Sequence, residues 1–208
     1  MNALQKRAPS SSRRAAFEKV VIVTRKTELE ELVARFNTVP QAQFYLEHAG
    51  QEFEPIAARH QHYQGVLDEV RAAVPSGLKS QVLDRSFLPQ FTFGEADLVI
   101  TIGQDGLVVN VAKYLDGQPI LAINPDPRQY DGVLLPFDLS RFGRAFDNTL
   151  RSEQPVREVT MAQAKQLISQ MLKADFPTMD RMSLQDVRLL LSRLLNSATK
   201  SFTSLNSR

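Results

Sequence analysis

Asp97-Leu98-Val99-Ile100-Thr101-Ile102-Gly103-Gln104-Asp105-Gly106 decides how this chain folds. Six residues with an apolar, β-branched centre read as a strand buried on both faces. The next four read as a tight turn, because glycine and Asp-Gly favour bends. Leu107 opens an apolar, helix-compatible stretch over 107–115, and Asp116-Gly117 supplies its stop. Pro119-Ile120-Leu121-Ala122-Ile123 is then a second buried strand. Strand, helix and strand within about thirty residues make one βαβ unit with a right-handed crossover.

Upstream, Val20-Val21-Ile22-Val23 is another short β-branched run and a third parallel strand. Thr27-Glu28-Leu29-Glu30 is a capping box, a threonine with a carboxylate three residues on. It opens a helix through Leu32, Val33 and Phe36 that Pro40 is expected to end. Residues 41–48 and 53–74 read as further helix. In the second of these, Ile56, Ala57, His60, Tyr63, Val66, Leu67 and Val70 fall at helical spacing and are expected in the core. Gln81-Val82-Leu83 is a weak strand signal. The expected fold is therefore α/β, an open parallel sheet with helices on both faces, over residues 18–155. Residues 1–17 carry Lys6, Arg7, Arg13 and Arg14 among serines and read as a loose basic terminus, with an organelle presequence as the lesser option.

Beyond Phe137 the pattern changes. Residues 138–150 suit either a short helix or a crossing loop, and 156–161 reads as a strand. Ser183-Leu184-Gln185-Asp186 is a second capping box, opening a helix with leucines on one side that extends to about residue 197. Residues 156–208 are thus expected as a strand and helical tail, with the leucine face packed on the α/β part or on another subunit and a fraying end.

Composition removes several classes of function. With no cysteine, disulfides, thiolate metal sites and cysteine nucleophiles are excluded. Of the three histidines, His60 and His62 stand two apart on a helix and point to different faces, so a zinc site is not expected. No apolar run approaches the roughly 18 residues that cross a bilayer, and no secretory leader is evident. A net charge of +2 gives no ground for nucleic-acid binding. The expected setting is cytoplasmic, without membrane or nucleic-acid partners.

The turn at 103–106 is where chemistry is expected. A turn between a buried strand and a helix presents backbone N–H groups and a helix dipole that suit phosphate. Gly103 and Gly106 let the chain bend and let a ligand approach. Asp105 would then stand beside a phosphorylated ligand, where a carboxylate can accept a proton from a reacting hydroxyl or hold a metal. Asp-Gly and Asn-Pro are also ordinary turn dipeptides. Neither G-x-x-x-x-G-K-[ST] nor G-x-G-x-x-G occurs here, which disfavours P-loop and standard dinucleotide sites.

These residues resemble the strand and G-G-D-G-[TS] loop of the NAD kinases, whose superfamily includes the diacylglycerol and sphingosine kinases. Pro119-Ile120-Leu121-Ala122-Ile123-Asn124, followed by Arg128, Gly132 and Leu134, resembles the family's P-[IV]-L-G-[IV]-N…R…G-F-L segment. The resemblance runs from about residue 20 to 137, the family's N-terminal α/β domain. It implies transfer of phosphate from magnesium-bound ATP to the 2′-hydroxyl of NAD, giving NADP, in a homo-oligomer. It implies Asp105 as the catalytic residue, with Gly103, Gln104, Gly106, Asn124, Asp126 and Arg128 binding the nucleotides. Gln104 replaces a glycine of that pattern and Leu107 a threonine or serine. The family continues into a β-rich domain with an N-[ED] motif, and no such dipeptide occurs after Lys165. A shortened branch and a truncated or frame-shifted tail both fit. A non-catalytic nucleotide-binding protein, or an inactive truncated remnant, on the same fold is the alternative to the kinase.

Overall fold

A computed structural model describes residues 17–153 and 155–158, with Gln163 and Gln166. The chain divides at Glu158–Val159, and the first unit, up to Glu158, holds every named helix and strand. Its centre is a four-stranded, all-parallel sheet in the order β2-β1-β3-β4, built from β1 Lys19–Thr24, β2 Lys79–Asp84, β3 Asp97–Ile102 and β4 Ile120–Ile123. Val20 stands opposite Leu98, and Val99 opposite Ile120, so the three strongest apolar runs are neighbours as expected. β4 begins one residue late because Pro119 has no N–H to give; its carbonyl still accepts from Val99 N at 3.1 Å.

Alternation along the strands sends side chains to two separate cores. Val20, Ile22, Leu98, Ile100, Ile102, Leu121 and Ile123 pack under α3 (Glu54–Ala72) and α5 (Leu139–Leu150). Val21, Val23, Leu83 and Val99 pack under α4 (Asp105–Ala112) and the short 3-10 turn Arg85–Gln90. Helices therefore cover both faces, and every residue of β3 is buried. β2 is an edge strand with four of its six residues exposed, and its polar Lys-Ser-Gln start follows from that position.

The capping box forms as read: Thr27 accepts from Glu30 N, and the Glu30 carboxylate accepts from Thr27 N at 2.7 Å, opening α1 (Glu28–Phe36). Pro40 does not end this helix. Asn37, at φ 67°, closes it, and Pro40 lies in the first turn of α2 (Val39–His48) behind the N-cap Thr38. A proline there loses no hydrogen bond, since first-turn N–H groups have no partner within the helix. Of the expected core of α3, Ile56, Tyr63, Val66 and Val70 are buried, whereas Ala57, His60 and Leu67 are half-buried. α4 starts earlier than 107 and stops before Asp116-Gly117, so Asp105 and Gly106 belong to its first turn. The open choice over 138–150 resolves as helix α5, capped by Asp138, whose side chain accepts from Arg141 N at 3.0 Å.

Residues 155–158 form no strand, and Val156 is 80% exposed; the rest of the strand expected over 156–161 lies outside the described residues. The second capping box and its leucine helix lie outside the described residues, as does the basic N-terminal stretch. Among the described residues no helix is long and apolar enough to cross a membrane.

Thr101, on β3, is fully buried, and its hydroxyl has no hydrogen-bond partner among the described residues. An unmet buried hydroxyl costs about 1–3 kcal/mol. Thr101→Val keeps the β-branched shape and removes that cost. The variant is expected to melt a few degrees higher; a melting temperature that falls would mean the hydroxyl is bonded.

Candidate functional site

Chain direction opens a crevice in the sheet. After β1 the chain passes to α1–α3, and α3 packs on one face; after β3 it passes to α4 on the other. The carboxyl ends of β1 and β3 are therefore a topological switch point, where open α/β sheets bind ligands. A cleft of about 150 Å³ lies there. Arg25 from the end of β1, Gly103 and Gln104 from the end of β3, residues of α3, and the loop after β4 line it.

Tyr63 of α3 holds the two strand ends together. Its hydroxyl donates to Ile102 O at 2.9 Å and accepts from Arg25 N at 3.3 Å. Burial pushes its pKa up to about 12, against the weaker opposing effect of the Arg25 N–H bond, so the phenol stays a neutral donor. Arg25 in turn donates through Nη1 to Gln104 Oε1. Gln104 is the N-cap of α4 and makes no side-chain cap bond. The residue that replaces the family's glycine thus braces an arginine across the crevice, and the first-turn N–H groups of α4 are left without a side-chain cap.

The expected site residues fall into two sets. Gly103, Gln104 and Asp126 line the cleft. A side chain at Gly103 would come within 3.1 Å of Leu107 Cδ2, so that methyl would have to give way by a few tenths of an ångström. Gly106 is exposed, and a Cβ on it would meet open space; the fold itself makes no demand for that glycine. Asp105 is buried and does not line the cleft; its Oδ1 accepts from Leu134 N at 2.7 Å.

Asn124 is buried as a clasp. Its Nδ2 donates to Tyr130 O at 2.7 Å, its Oδ1 accepts from Asp126 N at 3.1 Å, and its own N–H donates to Phe137 O at 2.7 Å. It shapes the wall that carries Pro125, Asp126 and Tyr130 rather than lining the cleft itself. Arg128 is exposed and outside the cleft, its N–H donating to Asp126 Oδ1 at 3.1 Å.

Sequence reasoning did not count Arg25, Thr27, Arg59, His60, His62 or Tyr63 as site residues, and all of them line the cleft. Arg25 had one available signal, its place at the carboxyl end of a buried parallel strand. The two histidines do leave α3 in different directions, His60 toward Thr27 and His62 toward Pro125. Both directions border the same cleft, so different faces of one helix do not mean separate sites. No protein-family model matches the chain, and no curated protein matches it.

Proposed function

We propose that this chain binds a nucleotide at the carboxyl edge of its sheet, with phosphate against the 103–106 loop and the adjoining cleft. The observation that carries this reading is the switch-point cleft itself, where Arg25, Gly103 and Gln104 meet beside an uncapped helix start. Helix N-termini and arginine both favour phosphate. About 150 Å³ is less than the 300 Å³ or more of a whole small-molecule pocket, so it suits part of a nucleotide.

The narrower reading is phosphate transfer from ATP to the 2′-hydroxyl of NAD, in a homo-oligomer. It is favoured by the two blocks that resemble the NAD kinases. Their Asp105 and Asn124 both come just after the carboxyl ends of adjacent strands. Asp105 would accept the hydroxyl proton through Oδ2, which has no partner among the described residues. Magnesium typically takes one or two carboxylates together with the nucleotide's phosphates. Glu28 and Asp126 are the carboxylates of the cleft, and Glu28 is already paired with Arg59 at 2.7 Å, so Asp126 is the one that fits.

Gly106→Ala tests the binding reading. With open space for a methyl group and helical backbone, the variant should gain about 0.4–1 kcal/mol in stability. If phosphate approaches the first turn of α4, calorimetric affinity for NAD or ATP should nevertheless fall about tenfold. Unchanged affinity would move the nucleotide away from α4, and no binding of either nucleotide to the unmodified protein would overturn the reading.

A further inference from the structure

Arg25 and Arg59 both line the cleft, and they are held differently. Arg59 is paired with the Glu28 carboxylate at 2.7 Å. Among the described residues no carboxylate pairs with Arg25; its Nη1 donates to an uncharged acceptor, Gln104 Oε1. The stem of Arg25 is placed by packing. A Cβ built on Gly103 would lie 3.5 Å from Arg25 Cδ and 3.7 Å from its Cγ, so the stem lies against the end of β3. The guanidinium at its tip is held by Gln104.

Gln104 is free to let go at little cost to the fold. It is the N-cap of α4, yet its side chain makes no cap bond. Its backbone carbonyl does the capping instead, accepting from Leu107 N at 2.8 Å. Its backbone, at φ −107° and ψ 165°, is ordinary extended chain. Turning the side chain away from Arg25 therefore breaks one part-buried hydrogen bond and leaves helix and sheet as they are.

An anion displaces such a bond. The charge on a phosphate draws a guanidinium more strongly than a neutral amide oxygen does, and phosphate offers it two parallel N–H···O bonds. The amide oxygen and the phosphate oxygens are all acceptors, so they compete for the same N–H groups.

We propose that Gln104 is a built-in placeholder for a phosphate group: its amide oxygen holds the position on Arg25 that a phosphate oxygen takes, and the ligand binds by exchange with it. That the phosphate belongs to a nucleotide rests on the function proposed for the cleft; the exchange at Arg25 does not. Gln104 thereby sets the affinity of the cleft, because every binding event must break the Arg25–Gln104 bond.

The test is calorimetric titration of the whole chain with inorganic phosphate and with NAD. Gln104→Ala removes the placeholder and should tighten binding of both probes about tenfold, the worth of one hydrogen bond to a charged group. Gln104→Glu puts a charged acceptor on Arg25 and should weaken both by about tenfold or more. With Arg25→Met in place, Gln104→Ala should change nothing, because the gain passes through the guanidinium. General loosening of the loop would move the alanine and glutamate variants in the same direction; competition moves them apart. Three results overturn the placeholder: an alanine variant that binds no tighter than the unmodified protein, a glutamate variant that binds no weaker, or a gain that survives Arg25→Met. NAD binding by the unmodified protein then leaves the nucleotide reading intact. Phosphate binding tightened by Gln104→Ala, with no NAD binding by any of these proteins, overturns the nucleotide reading alone. If neither probe binds even the alanine variant, both fall. Gln104→Gly, an accepted N-cap residue, carries the same expectation and decides the matter should the alanine variant not fold.

Discussion

On the proposed phosphotransfer reading, Asp105→Asn is expected to lower the rate of NADP formation from NAD and magnesium-ATP by about 10²–10⁴-fold, the usual contribution of a positioned base. NAD affinity should stay within about threefold, because the loss falls on the chemical step rather than on binding. Geometry makes asparagine the informative replacement. Asp105 Oδ1 accepts from Leu134 N at 2.7 Å, and an amide oxygen can keep that bond while the charge on the other atom is lost. Asp105→Ala removes both and leaves a part-buried N–H unmet, at a cost of about 1–3 kcal/mol. A fall in melting temperature for alanine with none for asparagine would separate the clamp from the chemistry. If the asparagine variant makes NADP at the unmodified rate, Asp105 is only the clamp on Leu134. If the unmodified protein binds NAD and never makes NADP, phosphotransfer is overturned and nucleotide binding stands alone.

How much could be read in the sequence depends on how local each cause is. β1, β3 and β4 announced themselves because strands covered on both faces need continuous apolar runs. β2 nearly escaped because this edge strand buries only one side chain, Leu83 near its end. The Thr27–Glu30 box was legible because a cap is made within four residues. Pro40 was misassigned because a proline marks a boundary without saying which helix it belongs to, and only the Thr38 cap decides. The glycine turn was found for the same local reason. The rest of the cleft is assembled across the chain: Arg25 reaches Gln104 at a separation of 79 residues, and Tyr63 reaches Ile102 at 39. No spacing rule reports such pairs. Tyr63 was read as a core residue, which it is, but its hydroxyl also ties the two strand ends that define the crevice.

Gly132→Ala should be the most damaging of the single-methyl additions at the described glycines. Gly132 has φ +64°, a region that costs an L-residue roughly 1–2 kcal/mol. The added Cβ would also lie 2.7 Å from Asn124 Nδ2 and 3.1 Å from Leu135 Cβ, too close for either to stay in place. Asn124 would have to move, and its bonds to Tyr130 O and from Asp126 N would go with it, at about 1 kcal/mol each. The expected total is about 3–4 kcal/mol, a fall in melting temperature on the order of 10 °C. Gly117→Ala is the control. Gly117 has φ +89° with open space around it, so that variant carries the backbone cost without the clash. The difference between the two variants measures the Asn124 clasp. Because the clasp shapes the wall bearing Pro125, Asp126 and Tyr130, Gly132→Ala should also weaken ligand binding in the cleft, whereas Gly117→Ala should not. Equal melting temperatures for the two variants would mean that Asn124 yields freely, and that the loop after β4 owes its shape to something other than this clasp.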